Sequence, residues 1–181
     1  MRNFKYLAVT VLFLLGACSS SPSVSTDYSS DYDFNTVKSF HVVGDDQYKN
    51  PYLSDINRDR INQSIENELR EDYLVERSET DADILVTYFV VTKDKVKVTS
   101  TPSTSYYSRY GSVLASDVSA RSYVEGTLII DVIDADSNKS VWRSEAVKSI
   151  KNYDSAKERD KEISKMIDAM FDHFLIEDKN V

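Results

Sequence analysis

Asp134, Asp136, Asn138 and Glu145 occupy the first, third, fifth and twelfth places of a calcium-loop spacing, with Val141 at the eighth. Oxygen ligands at such intervals hold a hard cation when the chain between them folds into a tight loop. Here the sixth place is Lys139, where the sharp turn needs Gly, and strand patterns flank the segment on both sides. A strand advances about 3.3 Å per residue, so Glu145 is carried roughly 20 Å beyond Asn138. The segment therefore predicts a plain hairpin turn and no metal. His41 and His173 are the only imidazoles. Neither comes with a Gly-x-Ser-x-Gly elbow or a second thiol to activate, so no nucleophilic site is expected. Phosphate-binding and dinucleotide fingerprints are also missing, so the expectation is a non-enzymatic protein without cofactor.

Two groups remain. Tyr106, Tyr107, Arg109 and Tyr110 form a contact-patch candidate, because Tyr offers a rigid apolar body with a hydrogen-bonding tip and Arg stacks on it or pairs with a carboxylate. Cys18 is the single Cys. It excludes an intrachain disulfide or a thiolate cluster and directs attention to the segment before it. Arg2 and Lys5 open a short cationic stretch, Tyr6 to Leu15 is apolar, and small residues follow. That is signal-peptide anatomy, and ten apolar residues fall short of the roughly 20 a membrane-spanning helix needs. Leu15-Gly16-Ala17-Cys18 resembles the bacterial lipobox, which implies acylation of Cys18 and a stable membrane attachment. Ser19 stands where Asp would resemble an inner-membrane retention signal, so the expected address is the outer membrane, facing the periplasm.

The elements that carry these residues are legible from patterning. The chain holds 22 Lys and Arg against 30 Asp and Glu, a net charge of −8, which speaks against nucleic acid as a partner. Removing residues 1–17 takes away two bases and no acid and leaves −10. Residues 18–31 are Ser-rich and predict a flexible tether. Residues 32–181 predict one domain. Thr36 to Val43 reads as a strand, and Ser54 caps a helix over about 55–72 with Ile61, Ile65 and Leu69 at four-residue steps. Asp83 to Thr92 is β-branched and aromatic on both faces, as in a central covered strand. Thr99 to Ser122 lacks apolar periodicity and predicts the longest loop. Tyr123–Asp134 and Ser140–Ile150 alternate on either side of a turn and predict a hairpin, with Trp142 packed inside it. Ser155-Ala156-Lys157-Glu158 fits a capping box, and the helix after it carries Ile163, Met166, Ile167, Met170, Phe171 and Phe174 on one face. The fold expected is α+β, a mostly antiparallel sheet with two helices packed against it.

With the hairpin written out as Glu125-Gly126-Thr127-Leu128-Ile129-Ile130-Asp131-Val132 and Val141-Trp142-Arg143, the chain resembles a bacterial lipoprotein family known as domain of unknown function 4136. Tyr32-Asp33-Phe34, Arg60-Ile61, Ala82 to Val86 and the final helix extend the resemblance over nearly the whole mature domain. Ser144 stands where the family pattern leads one to expect Gly, and Leu175 where Phe-Pro is common. The resemblance implies no catalytic residue. The function expected is an outer-membrane-anchored envelope lipoprotein that binds or scaffolds another envelope protein. The alternatives are a periplasmic small-ligand-binding lipoprotein and, third, an unrecognised hydrolase.

Overall fold

The two helices begin where their caps require. Ser54 accepts the backbone N–H of Asn57, and α1 runs Asp55–Glu71. Ser155 accepts the N–H of Glu158 at 3.2 Å while the Glu158 carboxylate accepts the N–H of Asp154, the residue before the cap, a close variant of the capping box that starts α2 (Ala156–Phe171). The computed structural model describes residues 22–45, 53–72, 74–105, 113–150, 153–172 and 174, with the backbone alone over 102–105 and 113–117.

Six strands form one sheet: β1 (Ser23–Tyr28), β2 (Ser39–Gly44), β3 (Val75–Glu76), β4 (Ile84–Ser105), β5 (Val113–Asp134) and β6 (Lys139–Ser149), in the order β1-β6-β5-β4-β2-β3. Pairing is antiparallel from β1 through β6 and β5 to β4, and parallel from β4 to β2 and from β2 to β3. The sheet is thus mixed, which corrects the mostly antiparallel expectation at one end. α1 supplies the crossover that parallel strands need, a connection which strand alternation alone does not reveal. Asp83 joins the two parallel partners. Its carboxylate accepts the N–H groups of Lys38 and Ser39 and the Ser39 hydroxyl at 2.8–2.9 Å, and these bonds hold it below the ordinary carboxylate range.

Two further expectations are corrected. Ser23–Tyr28, expected within the tether, is the edge strand β1, paired with β6 from Ser23–Val147 to Tyr28–Trp142. Thr99–Ser122, expected as a loop, is mostly strand. β4 and β5 pair without interruption from Ile84–Asp134 out to Ser105–Val113. Ser and Thr satisfy a β-ladder as well as a loop does, and hairpin closure supplies the backbone partners that hydrophobic periodicity would otherwise announce.

Both helices lie on one face. Phe40, Ile84, Val86, Tyr88, Leu128, Ile130, Val132, Trp142 and Ala146 from the sheet bury against Ile61, Ile65 and Leu69 of α1 and Ile167, Met170 and Phe171 of α2. Met166 is half-buried at the edge of this core, and Phe174 is buried. Trp142 is 2 % exposed, stacks on Phe171 at 5.1 Å and meets Phe174 edge-on at 5.2 Å. The predicted hairpin is present, with Gly126 opposite Lys148 and the turn between Asp134 and Lys139.

Candidate functional site

Because successive strand side chains alternate between faces, one parity of β4 and β5 describes one side of the sheet. The even-numbered residues enter the core beneath the helices. The odd-numbered ones, Leu85, Ile129 and Ile133, are half-buried on the face without helices, and Val91 is exposed there. An antiparallel sheet with one wet face ordinarily makes that face polar. This one mixes the two: the aliphatic Leu85, Val91, Ile129 and Ile133 flank the buried Thr87 and the buried Asp131, which pairs with Arg143.

Past Thr92 and Gly126 the two central strands leave the sheet as a two-stranded arm. Its even face holds Val96, Val98 and Val118, each more than 60 % exposed, and so prolongs the apolar core surface beyond the helices. Its odd face holds Lys93, Lys95, Lys97 and Arg121 with Glu125, which pairs with Lys95 at 2.9 Å. In a chain of net charge −8 this local cationic excess makes the arm electrostatically distinct from the body. Lysines along an exposed strand edge also discourage indiscriminate sheet extension.

At the base of the arm the core face opens into a cleft of about 280 Å³ between α1, α2 and the sheet. Leu53, Ile61, Val90, Leu128, Ile163 and Met166 contribute apolar walls, and Asn57, Lys148, Tyr153 and Arg159 stand among them. Gly126 lies in its floor. A Cβ there would come within 3.2 Å of Ile150, so the bare backbone leaves room for that side chain. Lys148 is paired with Glu162, whereas the Arg159 guanidinium sits 5.7 Å over the Tyr153 ring. No described helix is long and apolar enough to cross a membrane.

The residues singled out by type are dispersed. Asp134 turns its carboxylate to the Ser137 N–H at 2.8 Å and to the Tyr32 hydroxyl at 3.1 Å. Those bonds, the Ser137 ones first, hold Asp134 low, while burial and Asp134 itself push the Tyr32 phenol up to about 12. Asn138 takes the turn's left-handed position at φ 53°, and Glu145 lies along β6 opposite Ile129 and Ser25. Among the described residues, His41 bonds through Nδ1 to the backbone carbonyl of Arg77 at 2.9 Å. Cys18, His173 and the patch Tyr106, Tyr107, Arg109 and Tyr110 lie outside the described residues. Sequence reasoning missed the cleft, whose walls come from segments scattered between residues 53 and 166. It also missed the arm, whose alternation of Val with Lys over Lys93–Val98 was the available signal.

Comparison with solved structures supports the fold. A PDZ domain protein from Parabacteroides distasonis is similar over 87 % of this chain at 18 % identity and a TM-score of 0.53; this chain covers 37 % of that one, about a third of its length. A DUF4136 family protein from Bacteroides thetaiotaomicron is similar over 84 % of this chain and 95 % of its own, at 14 % identity and a TM-score of 0.51. No curated protein matches. The family model for the domain of unknown function DUF4136 matches residues 24–174, from within β1 to the aromatic cluster after α2, and the chain belongs to that family.

Proposed function

We propose that this protein is an envelope lipoprotein, anchored in the outer membrane through a lipid on Cys18, that holds another envelope protein and carries out no chemistry of its own. The observation that supports the binding role best is the sheet's helix-free face, where the aliphatic Leu85, Val91, Ile129 and Ile133 lie on either side of the buried Thr87 and Asp131 and lead on to the cationic side of the arm. Apolar side chains gathered on a folded surface mark interaction sites, and the flanking Lys93, Lys97 and Arg121 favour a partner with an acidic rim. The lipobox and Ser19 support the address.

A photo-crosslinking residue placed at Val91 or Lys97 in cells is expected to trap one defined envelope protein, and the same residue at Ile56 on the helix side is expected to trap none. Equal labelling from all three positions would remove the face from the argument. Membrane fractionation of wild type and Cys18→Ala tests the anchor: the variant is expected to leave the outer-membrane fraction, and unchanged sedimentation would overturn it.

The cleft favours a second reading, in which the same lipoprotein also holds a small ligand. Its walls are concave and mostly apolar with a few convergent polar groups, the usual make-up of a ligand site.

A further inference from the structure

Arg159 is anomalous among the arginines that are at least partly withdrawn from solvent. Arg58 pairs with Asp45, Arg60 with Asp160 and Arg143 with Asp131. Arg70, about as exposed as Arg143, has Glu66 and Glu76. Arg159 is half-buried on the first turn of α2, in a chain where acids outnumber bases, and has no carboxylate partner among the described residues. Its neighbours are otherwise engaged. Glu158 closes the capping box, and Glu162, one turn on, pairs with Lys148.

We propose that the cleft binds a single-chain aliphatic carboxylate, with its chain along Ile61, Val90, Leu128, Ile163 and Met166 and its head group on the Arg159 guanidinium. This assignment rests on the small-ligand reading of the same cleft and names the ligand's chemistry. The guanidinium presents paired N–H donors in a plane that matches a carboxylate, and the Tyr153 ring already covers part of its surface, so an added anion meets a partly desolvated cation. The walls set the other half of the ligand. They offer no acidic side chain and few polar partners, so an aliphatic chain loses little on entry and removes apolar wall from water. Size sets the length. A dry cavity of about 150 Å³ takes the six carbons of benzene, so the cleft's volume of about 280 Å³ suits a chain of about ten carbons. Gly126 is what keeps this length available, since a side chain there would press on Ile150 at the cleft's edge.

The test uses the full chain in lipid nanodiscs with a diazirine-bearing decanoate, and reads labelled residues by peptide mass spectrometry. Labelling is expected to concentrate on Ile163 and Met166. At equal free concentration, decanoate is expected to compete at least tenfold better than decanol or decylamine, and a fourteen-carbon acid no better than decanoate. Arg159→Gln is expected to abolish the preference for the acid while decanol still competes, and Arg159→Lys to retain part of it. Ile163→Phe, which fills the cleft, is expected to remove labelling with the circular dichroism spectrum unchanged. Equal competition by decanoate and decanol, unaffected by Arg159→Gln, would overturn the carboxylate assignment and leave the ligand-binding reading standing. Labelling spread over the whole chain, with no effect of Ile163→Phe, would overturn both.

Discussion

Asp131 and Arg143 face each other across β5 and β6, and the guanidinium donates from Nε to the Asp131 carboxylate at 2.7 Å. The carboxylate is buried while the Arg is half-exposed, so the pair is lopsided: the acid depends on the base far more than the reverse. Among the described residues, the Ser140 hydroxyl, at 3.1 Å, offers Asp131 its one further side-chain hydrogen bond. Arg143→Ala is therefore expected to cost about 2–3 kcal/mol, mostly through the carboxylate left buried and unpaired. Asp131→Asn in the same chain should recover much of that loss in urea unfolding. A double variant no more stable than the single one would contradict this account.

Trp142 closes the aromatic cluster with Phe171 and Phe174. Removing its indole leaves a cavity that the stacked Phe171 ring can only partly fill, so Trp142→Ala is expected to lose about 3–5 kcal/mol. Chemical denaturation would read this as a lowered midpoint at unchanged slope.

The Glu68 carboxyl is pushed up to about 7, first by burial and then by Asp168, Glu71 and Asp72. A folded-state value above the unfolded one means that the native chain binds this proton more tightly. The stabilisation is then complete below about 4.5 and is lost as pH rises toward 7. Glu68→Gln is expected to flatten that stretch of the thermal-stability profile, raising Tm at about pH 8 and leaving it unchanged at about pH 4. Parallel profiles for variant and wild type would refute the assignment.

Ser155→Ala removes the acceptor of the Glu158 N–H and is expected to cost about 1 kcal/mol, with the first turn of α2 fraying. Because Arg159 lies in that turn, faster amide exchange over residues 156–159 is the measurement that distinguishes local fraying from general destabilisation.

Both helices and the β5–β6 hairpin were legible because each is announced locally. Ser54 and Ser155 are caps, Ile61–Ile65–Leu69 is a helical stripe, and Asp134–Lys139 is turn chemistry. What escaped depends on partners remote in the chain. β1 is an edge strand whose Ser and Thr pair with β6 across more than a hundred residues, and in it Val24 is the one residue packed against the core. The parallel placement of β2 beside β4 leaves no trace in alternation, which is the same for either strand direction. The cleft was invisible for a related reason. Ile61, Val90, Leu128 and Ile163 each read as ordinary core positions, and only their assembly leaves a space.

Strand β1 also sets a leash. From Cys18 to Ser23 there are five residue steps, which span at most roughly 18 Å at about 3.3–3.6 Å each. With the proposed lipid on Cys18, the β1 edge of the sheet hangs within that distance of the bilayer, so the domain cannot reach across the periplasm to distant structures. It instead sweeps a thin layer beside the membrane, where diffusion is two-dimensional and a partner confined to the same leaflet is met at high effective concentration. With that lipid in place, the point at which this short polar strand begins sets how far the sheet edge hangs from the bilayer.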